Sequence, residues 1–256
     1  MSAIAPLKQA VKSTLSAVSR WRVPCIEPTI VRTLPHDRSA FTQGLAYHRG
    51  LLYESCGRPP VSSLTCRRVA DWTVQHRILI PEDFAEGIAV CDGRLYQLGW
   101  KSQTARVFRL PDLQHVCEFH YRGEGWGLCS ANGGVLMSNG TGSLTFRDAA
   151  LCPGRTLRVT QNRLPTRRLN DLEFVDDSIY ANVLFRSEIL EISAISGRVT
   201  RIIDCSALKA AVHPTDTEHV LNGICYNPDE GTFFVTGKCW SLMFEIRIPS
   251  RQPLRD

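Results

Sequence analysis

A five-fold repeat constrains this chain more than any other feature of its sequence. Each copy contains two strand-like runs joined by a turn. The first run begins with a polar or aromatic residue, then a glycine or aspartate, then an aliphatic residue. Repeats of about forty residues with several strands each are typical of a β-propeller, in which every repeat forms one four-stranded blade. The sequence therefore predicts an all-β fold, a five-bladed β-propeller. The copies are 43, 40, 44 and 52 residues apart, and they begin at Gln43, Glu86, Trp126, Asn170 and Asn222.

The repeats divide the chain into two parts. Residues 29–256 are predicted to form the propeller domain, and residues 1–28 an N-terminal extension. Apolar residues between Leu7 and Val18 recur at helical spacing, which predicts a short amphipathic helix packed on the outside of the propeller, with a transit-like targeting segment as the alternative. Residues 30–34 read as a strand, and we expect it to complete the last blade, since such closure removes a free sheet edge.

Charge and hydropathy exclude several classes of function. The net charge is +5, but the basic residues are spread along the chain, and the one local cluster, residues 163–168, reads as a solvated loop. No nucleic-acid partner is therefore predicted. The chain has no apolar run of about eighteen residues and no continuous apolar core of a secretory signal. No membrane partner is predicted, and the compartment stays open, with a cytoplasmic location favoured over export.

The ten cysteines do not have the spacing of a zinc site, because the sequence contains no CxxC pair. Several lie in strand-like apolar runs, where a cysteine behaves as a small buried apolar residue. Cys56 and Cys66 flank a Pro-Pro loop. They are the candidates if any disulfide forms.

Propeller geometry predicts a pocket at one mouth of the central channel. The innermost strands all start at the same face, so the five lead residues gather there as one carboxylate, three amides and one indole. The second strand of each blade returns to this face, which brings Trp100, Leu184 and Lys238 to the rim. Such a mixture of polar and aromatic side chains is typical of a ligand pocket.

The fourth repeat places two carboxylates where other repeats have small residues. Asp171 and Glu173 occupy the positions that are Gly87 and Ala89 in the second repeat, and strand alternation points both into the channel. Two carboxylates in a narrow channel repel each other and need a counter-charge. We therefore expect a bound calcium ion or ordered water beside Asp171 and Glu173.

Six motifs, taken in order, resemble the plant and bacterial type of glutaminyl cyclase, the glutamine cyclotransferase family. The resemblance covers roughly residues 29–248. It implies a five-bladed propeller that converts the N-terminal glutamine of a peptide or protein to pyroglutamate and releases ammonia. It also implies an acid/base mechanism that requires no metal cofactor, and we expect a monomer. The motifs are Ala40–Leu45, Glu86–Ile88, Glu124–Leu128, Leu169–Glu173, Leu221–Ile224 and Thr236–Lys238.

The resemblance also implies roles for individual residues. Glu86 matches the motif glutamate, and a carboxyl group with a raised pKa can take a proton from the attacking amine and return it to the leaving nitrogen. Gln43, Asn170 and Lys238 match positions that could donate to the developing oxyanion. The residues expected to bind substrate are Phe41, Trp100, Glu124, Trp126 and Asn222.

Each of these residues also has a purely structural interpretation. Trp126 could belong to the core between blades, and Asn170 and Asn222 could simply start their strands. Glu86 and Lys238 could form a buried ion pair between blades.

The chain departs from the family pattern at three places. Leu184-Phe185 replaces a Trp-Gln pair, Asn139 replaces an aspartate, and Asp171 replaces a glutamate. Substrate range or rate is therefore expected to differ.

Two other functions are alternatives. One is a non-catalytic propeller that binds peptide termini or another ligand at the same mouth. The other is a metal-dependent hydrolase or lactonase, for which one carboxylate, amides and a lysine are a poor ligand set.

Overall fold

The computed structural model describes residues 23–250, and the helix predicted between Leu7 and Val18 lies outside them. The described chain forms short strands and one short helix. The strands before the first blade are β1 (Cys25–Ile26) and β2 (Thr29–Pro35). Blade I contains β3 (Thr42–His48), β4 (Leu51–Cys56), β5 (Ser63–Arg68) and β6 (Val74–Leu79). Blade II contains β7 (Ala85–Cys91), β8 (Arg94–Gly99), β9 (Thr104–Arg109) and β10 (His115–His120).

The second half of the chain continues the pattern with one added hairpin and the helix. Blade III contains β11 (Leu128–Ala131), β12 (Gly134–Ser138), β13 (Ser143–Arg147) and β14 (Pro153–Arg158), and the hairpin of β15 (Thr160–Gln161) and β16 (Leu164–Pro165) follows. Blade IV contains β17 (Leu169–Val175), β18 (Ser178–Val183), β19 (Glu188–Ser193) and β20 (Val199–Asp204), and α1 (Ser206–Val212) follows. Blade V contains β21 (Leu221–Asn227), β22 (Thr232–Gly237) and β23 (Leu242–Arg247).

The predicted five-bladed propeller is confirmed. Strands β3, β7, β11, β17 and β21 are the innermost strands, and each contacts the next around the ring. The predicted closure is also present, because β2 pairs antiparallel with β23 and completes blade V. Strand β1 pairs in parallel with β20, so the segment before β2 lies on the outer edge of blade IV. Within residues 23–250, no helix has the length and apolar character needed to cross a bilayer.

Glycines let the innermost strands approach the channel axis. A Cβ on Gly44 would lie 2.8 Å from Gly87 Cα, and one on Gly87 would lie 2.6 Å from Gly127 Cα. A Cβ on Gly127 would lie 2.0 Å from the carbonyl oxygen of Asn170. Four consecutive blades, I to IV, are therefore packed backbone to backbone at the channel mouth.

Apolar residues that alternate along the strands fill the spaces between blades. Leu136 and Leu190, for example, are fully buried in the cluster between blades III and IV. Cysteines take part in these cores, and all ten, which lie within the described residues, are free. The candidate Cys56–Cys66 bridge is absent. Cys56 pairs with Ser63 and Cys66 with Tyr53, so the two thiols are separated by three steps of the ladder, roughly 10 Å, beyond the reach of a disulfide.

A buried polar cluster joins blade V to blade I. His36 Nε2 lies 2.7 Å from Glu54 Oε1, and His36 Nδ1 lies 2.8 Å from the carbonyl oxygen of Trp240. Thr42 Oγ1 donates to the same Glu54 oxygen at 2.8 Å. Burial alone would lower the pKa of His36, but the Glu54 carboxylate raises it above its ordinary value. In turn, His36 lowers the pKa of Glu54 against the effect of its burial.

We expect the melting temperature to fall as the pH is raised through the pKa of folded His36. A group whose pKa is raised on folding stabilises the protein fully below the unfolded value, about 6.5 for histidine, and that contribution is lost as the pH rises through the folded value. The expected fall is about 2–4 °C, the shift that ~1 kcal/mol produces in a domain of this size. Thermal unfolding from about pH 6 upward tests this, with Glu54→Gln as the comparison, because that variant lacks the charge that raises the His36 pKa. The same slope in both proteins would rule the explanation out.

Candidate active site

A cavity of about 250 Å³ lies at the predicted mouth of the channel. It collects lead residues from the first four repeats and the residues that end the second strands of blades II, IV and V, as the repeat analysis predicted. The lining residues are Phe41, Gln43, Arg58, Phe84, Glu86, Trp100, Trp126, Asn170, Leu184, Phe185, Glu218, Val220 and Lys238.

Strand pairing is irregular at four of the five lead residues. The register of β3 with β4 shifts between Thr42 and Gly44, beside Gln43, and that of β7 with β8 shifts between Ala85 and Ile88, beside Glu86. The same shift occurs in blades IV and V at Asn170 and Asn222. Bulges of this kind release a residue from the ladder and redirect its side chain, and they are common next to active sites.

Glu86 is buried in the cavity wall without a fixed partner. Its side chain is 6% exposed, and among residues 23–250 nothing forms a hydrogen bond or ion pair with its carboxyl group. Burial raises the pKa of Glu86 well above its ordinary value, and the positive charge of Lys238 only partly opposes this effect. The carboxyl group therefore holds its proton to higher pH than an exposed glutamate does, and no protein partner within the described residues competes with a ligand for it.

Lys238 faces the same cavity from blade V. It follows β22, and its Nζ lies 4.7 Å from the centroid of the Phe41 ring. Burial lowers the pKa of Lys238, while the Glu86 carboxylate raises it. None of the ion pairs found between residues 23 and 250 joins Lys238 to Glu86, so the structure does not contain the buried ion pair that was the structural interpretation of these two residues.

Two amides line the cavity, and a third lies behind them. Gln43 and Asn170 are lining residues, and Asn170 Oδ1 is buried without a protein hydrogen-bond partner in the described chain. A buried polar atom left unpaired costs about 1–3 kcal/mol, so we infer that a ligand or water pairs with the Asn170 amide. Asn222 does not line the cavity. Its Nδ2 donates to the carbonyl oxygens of Thr42 and Gln43 at 3.1 and 3.2 Å and to Gln43 Oε1 at 3.3 Å, so it positions Gln43.

Two tryptophans form part of the cavity wall, and Glu124 holds them. The Nε1 atoms of Trp100 and Trp126 each donate to Glu124 Oε2 at 2.9 Å, and these hydrogen bonds lower the pKa of Glu124. Glu124 is not a lining residue, so it supports the wall from behind. Both tryptophans are half-buried lining residues, and Trp126 is not part of the core between blades.

Phe84 is a further wall residue, and it was not predicted from the sequence. Its ring lies 5.4 Å from that of Trp100 and 6.3 Å from that of Phe41, both edge to face. A signal was present, since Phe41 precedes Gln43 by two positions and Phe84 precedes Glu86 by two. The aromatic side of the cavity thus repeats with the blades.

Two charged residues at the cavity entrance were also missed. The guanidinium of Arg58 lies 3.8 Å from the Phe41 ring centroid and pairs with the Glu218 carboxylate. Both side chains are about half exposed, and both come from loops outside the repeat pattern. They narrow the entrance above Phe41 and Lys238.

The two channel carboxylates bind backbone N–H groups. Asp171 Oδ2 accepts from Ile224 N at 2.9 Å and from Leu45 N at 3.2 Å. Both oxygens of Glu173 also accept from backbone N–H groups, and burial raises its pKa to about 7. Asp171 Oδ1 is the one oxygen of the pair without a partner in the described residues, and these residues contain no cluster of three or more metal-ligating side chains.

The channel calcium stays a prediction. If calcium binds beside Asp171, a chelator will lower the melting temperature and added calcium will restore it, because a ligand that binds only the folded state stabilises that state. Identical melting curves with and without chelator would contradict the prediction. Magnesium added in place of calcium is the control for a general ionic effect.

Comparisons with known proteins show the family to which the chain belongs. The sequence model of the family described as "Glutamine cyclotransferase" matches residues 2–248. A curated glutaminyl-peptide cyclotransferase from Arabidopsis thaliana is 33% identical over 235 residues, which cover 87% of this chain and 71% of that relative. The crystal structure of Myxococcus xanthus glutaminyl cyclase superposes with a TM-score of 0.83 at 36% identity, covering 88% of this chain and 97% of that one.

Proposed function

The chain belongs to the glutamine cyclotransferase family, and we infer that it is a glutaminyl-peptide cyclotransferase that converts N-terminal glutamine to pyroglutamate with release of ammonia. The observation that carries the assignment to this site is the buried Glu86 carboxyl group, which faces the cavity without a protein partner. The finer assignments of residues to roles are our proposal.

Glu86 is proposed to carry the proton that the reaction must move. The α-amine of the substrate attacks its own side-chain carbonyl carbon, a C–N bond forms, and the C–N bond to the side-chain nitrogen breaks. The amine must lose a proton, and the leaving nitrogen must gain one to depart as ammonia. A single carboxyl group with a raised pKa can do both, since its carboxylate accepts the proton of the amine and the resulting acid donates that proton to the leaving nitrogen.

Gln43, Asn170 and Lys238 are proposed to stabilise the oxyanion of the tetrahedral intermediate. Each has an N–H donor and each lines the cavity that contains Glu86. Donors fixed in a site that excludes water stabilise developing charge more strongly than water does. Lys238 donates in either protonation state, so its lowered pKa does not remove this role.

The aromatic wall is proposed to hold the aliphatic part of the glutaminyl side chain. Phe84 contacts Phe41 on one side and Trp100 on the other, both edge to face, and Glu124 fixes the indoles of Trp100 and Trp126. A rigid wall excludes water and keeps the folded substrate in the geometry for ring closure. Since the cavity needs no residue from a second copy, we also propose that a monomer is sufficient.

Ammonia release from a Gln-initiated dipeptide tests the function. The enzyme should release ammonia faster than the uncatalysed reaction, and the product should lose its free amine. An N-acetylated peptide is the control, because a blocked amine cannot attack. Release at the uncatalysed rate, with binding of the dipeptide retained, would support the non-catalytic alternative instead.

A further inference from the structure

A second cavity adjoins the active-site pocket and is rich in arginine. It has a volume of about 530 Å³ and contains no aspartate or glutamate among its lining residues. We call it the arginine groove and define it by Leu164, Arg167, Arg168, Leu184, Phe185 and Arg186. These residues come from the β15–β16 hairpin, the segment that enters β17 and the turn after β18.

The groove and the pocket share part of their walls. Leu184 and Phe185 line both cavities. The backbone connects the two sides, since Leu184 N donates to the carbonyl oxygen of Arg168 at 2.9 Å. Arg168 is also two positions before Asn170, a residue of the pocket. The arginine groove is therefore within reach of a molecule that extends out of the pocket past Leu184.

The positive charge of the groove is mostly unpaired. Arg167 forms no hydrogen bond or ion pair with any residue between 23 and 250. Arg168 contacts the Phe185 ring, with its guanidinium carbon 5.6 Å from the ring centroid, and it too lacks a carboxylate partner in the described chain. Arg186 has a loose ion pair with Glu188 at 3.7 Å and a long hydrogen bond to Gln161 Oε1 at 3.4 Å. Arginine binds carboxylates through two parallel hydrogen bonds, so this groove suits acidic side chains.

The shape of the groove also indicates a ligand. Phe185 is 55% exposed and Leu164 is 71% exposed, so large apolar side chains line the groove beside its positive charges. Arg168 and Phe185 both have positive φ angles, 63° and 67°. Such angles are uncommon in residues other than glycine and concentrate at functional sites.

We propose that the arginine groove binds acidic side chains of the substrate peptide that follow its N-terminal glutamine. The proposal rests on the proposed function, because it takes the first residue of the peptide to lie in the pocket. The rest of the peptide must leave through the entrance, where Leu184 and Phe185 lead into the groove. An extended chain advances about 3.3–3.6 Å per residue, so a few residues beyond the first are enough to reach the arginines.

Three peptides with a common N-terminus test the proposal in the wild-type protein: Gln-Ala-Ala-Ala-Ala, Gln-Ala-Ala-Glu-Glu and Gln-Ala-Ala-Lys-Lys. We expect kcat/KM for the acidic peptide to exceed that for the neutral one by about three- to tenfold at low salt, with the basic peptide lowest. The difference should shrink as salt is added, since salt screens exposed charges. Moving the Glu pair along the peptide identifies the positions that reach the groove.

The double variant Arg167→Gln, Arg168→Gln should remove this preference while leaving turnover of the neutral peptide unchanged. The matched control is Arg49→Gln, Arg94→Gln, which should keep the preference. Both arginines are exposed; Arg49 follows β3 in blade I, and Arg94 begins β8 in blade II. Arg49 is a close match, because its φ of 49° is also positive. If the double glutamine variant does not fold, Arg167→Lys, Arg168→Lys keeps the charge but loses the paired geometry, and it should reduce the preference.

The outcomes separate the two proposals. No turnover of the neutral peptide by the wild-type protein would overturn the proposed function. Equal turnover of all three peptides would overturn the proposal for the groove and leave the proposed function intact. A preference for the acidic peptide that persists in the double variant of Arg167 and Arg168 would do the same.

Discussion

Replacing Glu86 with glutamine is expected to lower kcat by about 10²–10⁴-fold, the usual contribution of a general acid–base residue. Glutamine keeps the size of the side chain and its hydrogen-bonding capacity, but it cannot accept and return a proton. The melting temperature should not fall, because the Glu86 carboxyl group makes no hydrogen bond or ion pair within the described residues that the substitution could break. Steady-state ammonia release and thermal unfolding measure the two properties separately.

Glu218→Gln is the matched control. Glu218 is also a carboxylate that lines the cavity, but it is exposed and paired with Arg58 at the entrance. We expect its loss to change the rate by at most a few-fold, as for other exposed ion pairs. Full activity in Glu86→Gln would rule out the proposed role, and equal losses in both variants would show that the electrostatic field of the entrance is what matters.

The pH dependence of kcat/KM is a second test of the role of Glu86. Burial raises the pKa of this residue, so its protonated form persists to higher pH than in an exposed glutamate, whose pKa is about 4.5. If the carboxylate is the base, kcat/KM will decline on the acid side at a pH well above that value. This acid limb should be absent from the residual activity of Glu86→Gln.

The repeat made the catalytic side of the pocket predictable from sequence. The spacing of the lead residues fixes the blades, and closure of the ring then brings Gln43, Glu86 and Asn170 to one mouth, whatever the loops do. The reach of each side chain was not predictable. Asn222 occupies an equivalent position, but its side-chain amide donates hydrogen bonds to blade I and supports Gln43. Such contacts between neighbouring blades depend on local packing, which the repeat of the sequence does not reveal.

Residues supplied by loops escaped the same reasoning. Arg58 and Glu218 lie between strands and have no counterparts in the other blades, so no pattern in the sequence indicates that they meet above the pocket. The arginines of residues 163–168 read as a solvated loop, and they are exposed. Only the fold shows that the segment between β16 and β17 brings Arg167 and Arg168 beside Leu184, where their charge can act on a ligand of the pocket.

The largest effect on stability is expected from Gly127→Ala. A Cβ at this position would lie 2.0 Å from the carbonyl oxygen of Asn170 and 2.7 Å from Asp171 Cα, and both are backbone atoms of the next innermost strand. Neither can rotate away, so blades III and IV would have to separate at the mouth. Overpacking of side chains costs about 1–3 kcal/mol, and a clash against backbone should reach or exceed the upper end of that range.

The expected fall in melting temperature is therefore about 6–12 °C, since ~1 kcal/mol corresponds to about 2–4 °C in a domain of this size. Activity should fall as well, because the displaced carbonyl group belongs to the pocket residue Asn170 and accepts the hydrogen bond of Ser138 Oγ at 2.8 Å. Gly154→Ala, in β14 of blade III, is the control: its Cβ would approach only Phe146 O, at an ordinary 3.4 Å, so its melting temperature should match that of the wild-type protein. If Gly127→Ala has the same melting temperature as the wild-type protein, the mouth can widen without loss of stability. Backbone contact between the blades then cannot set the positions of the lead residues.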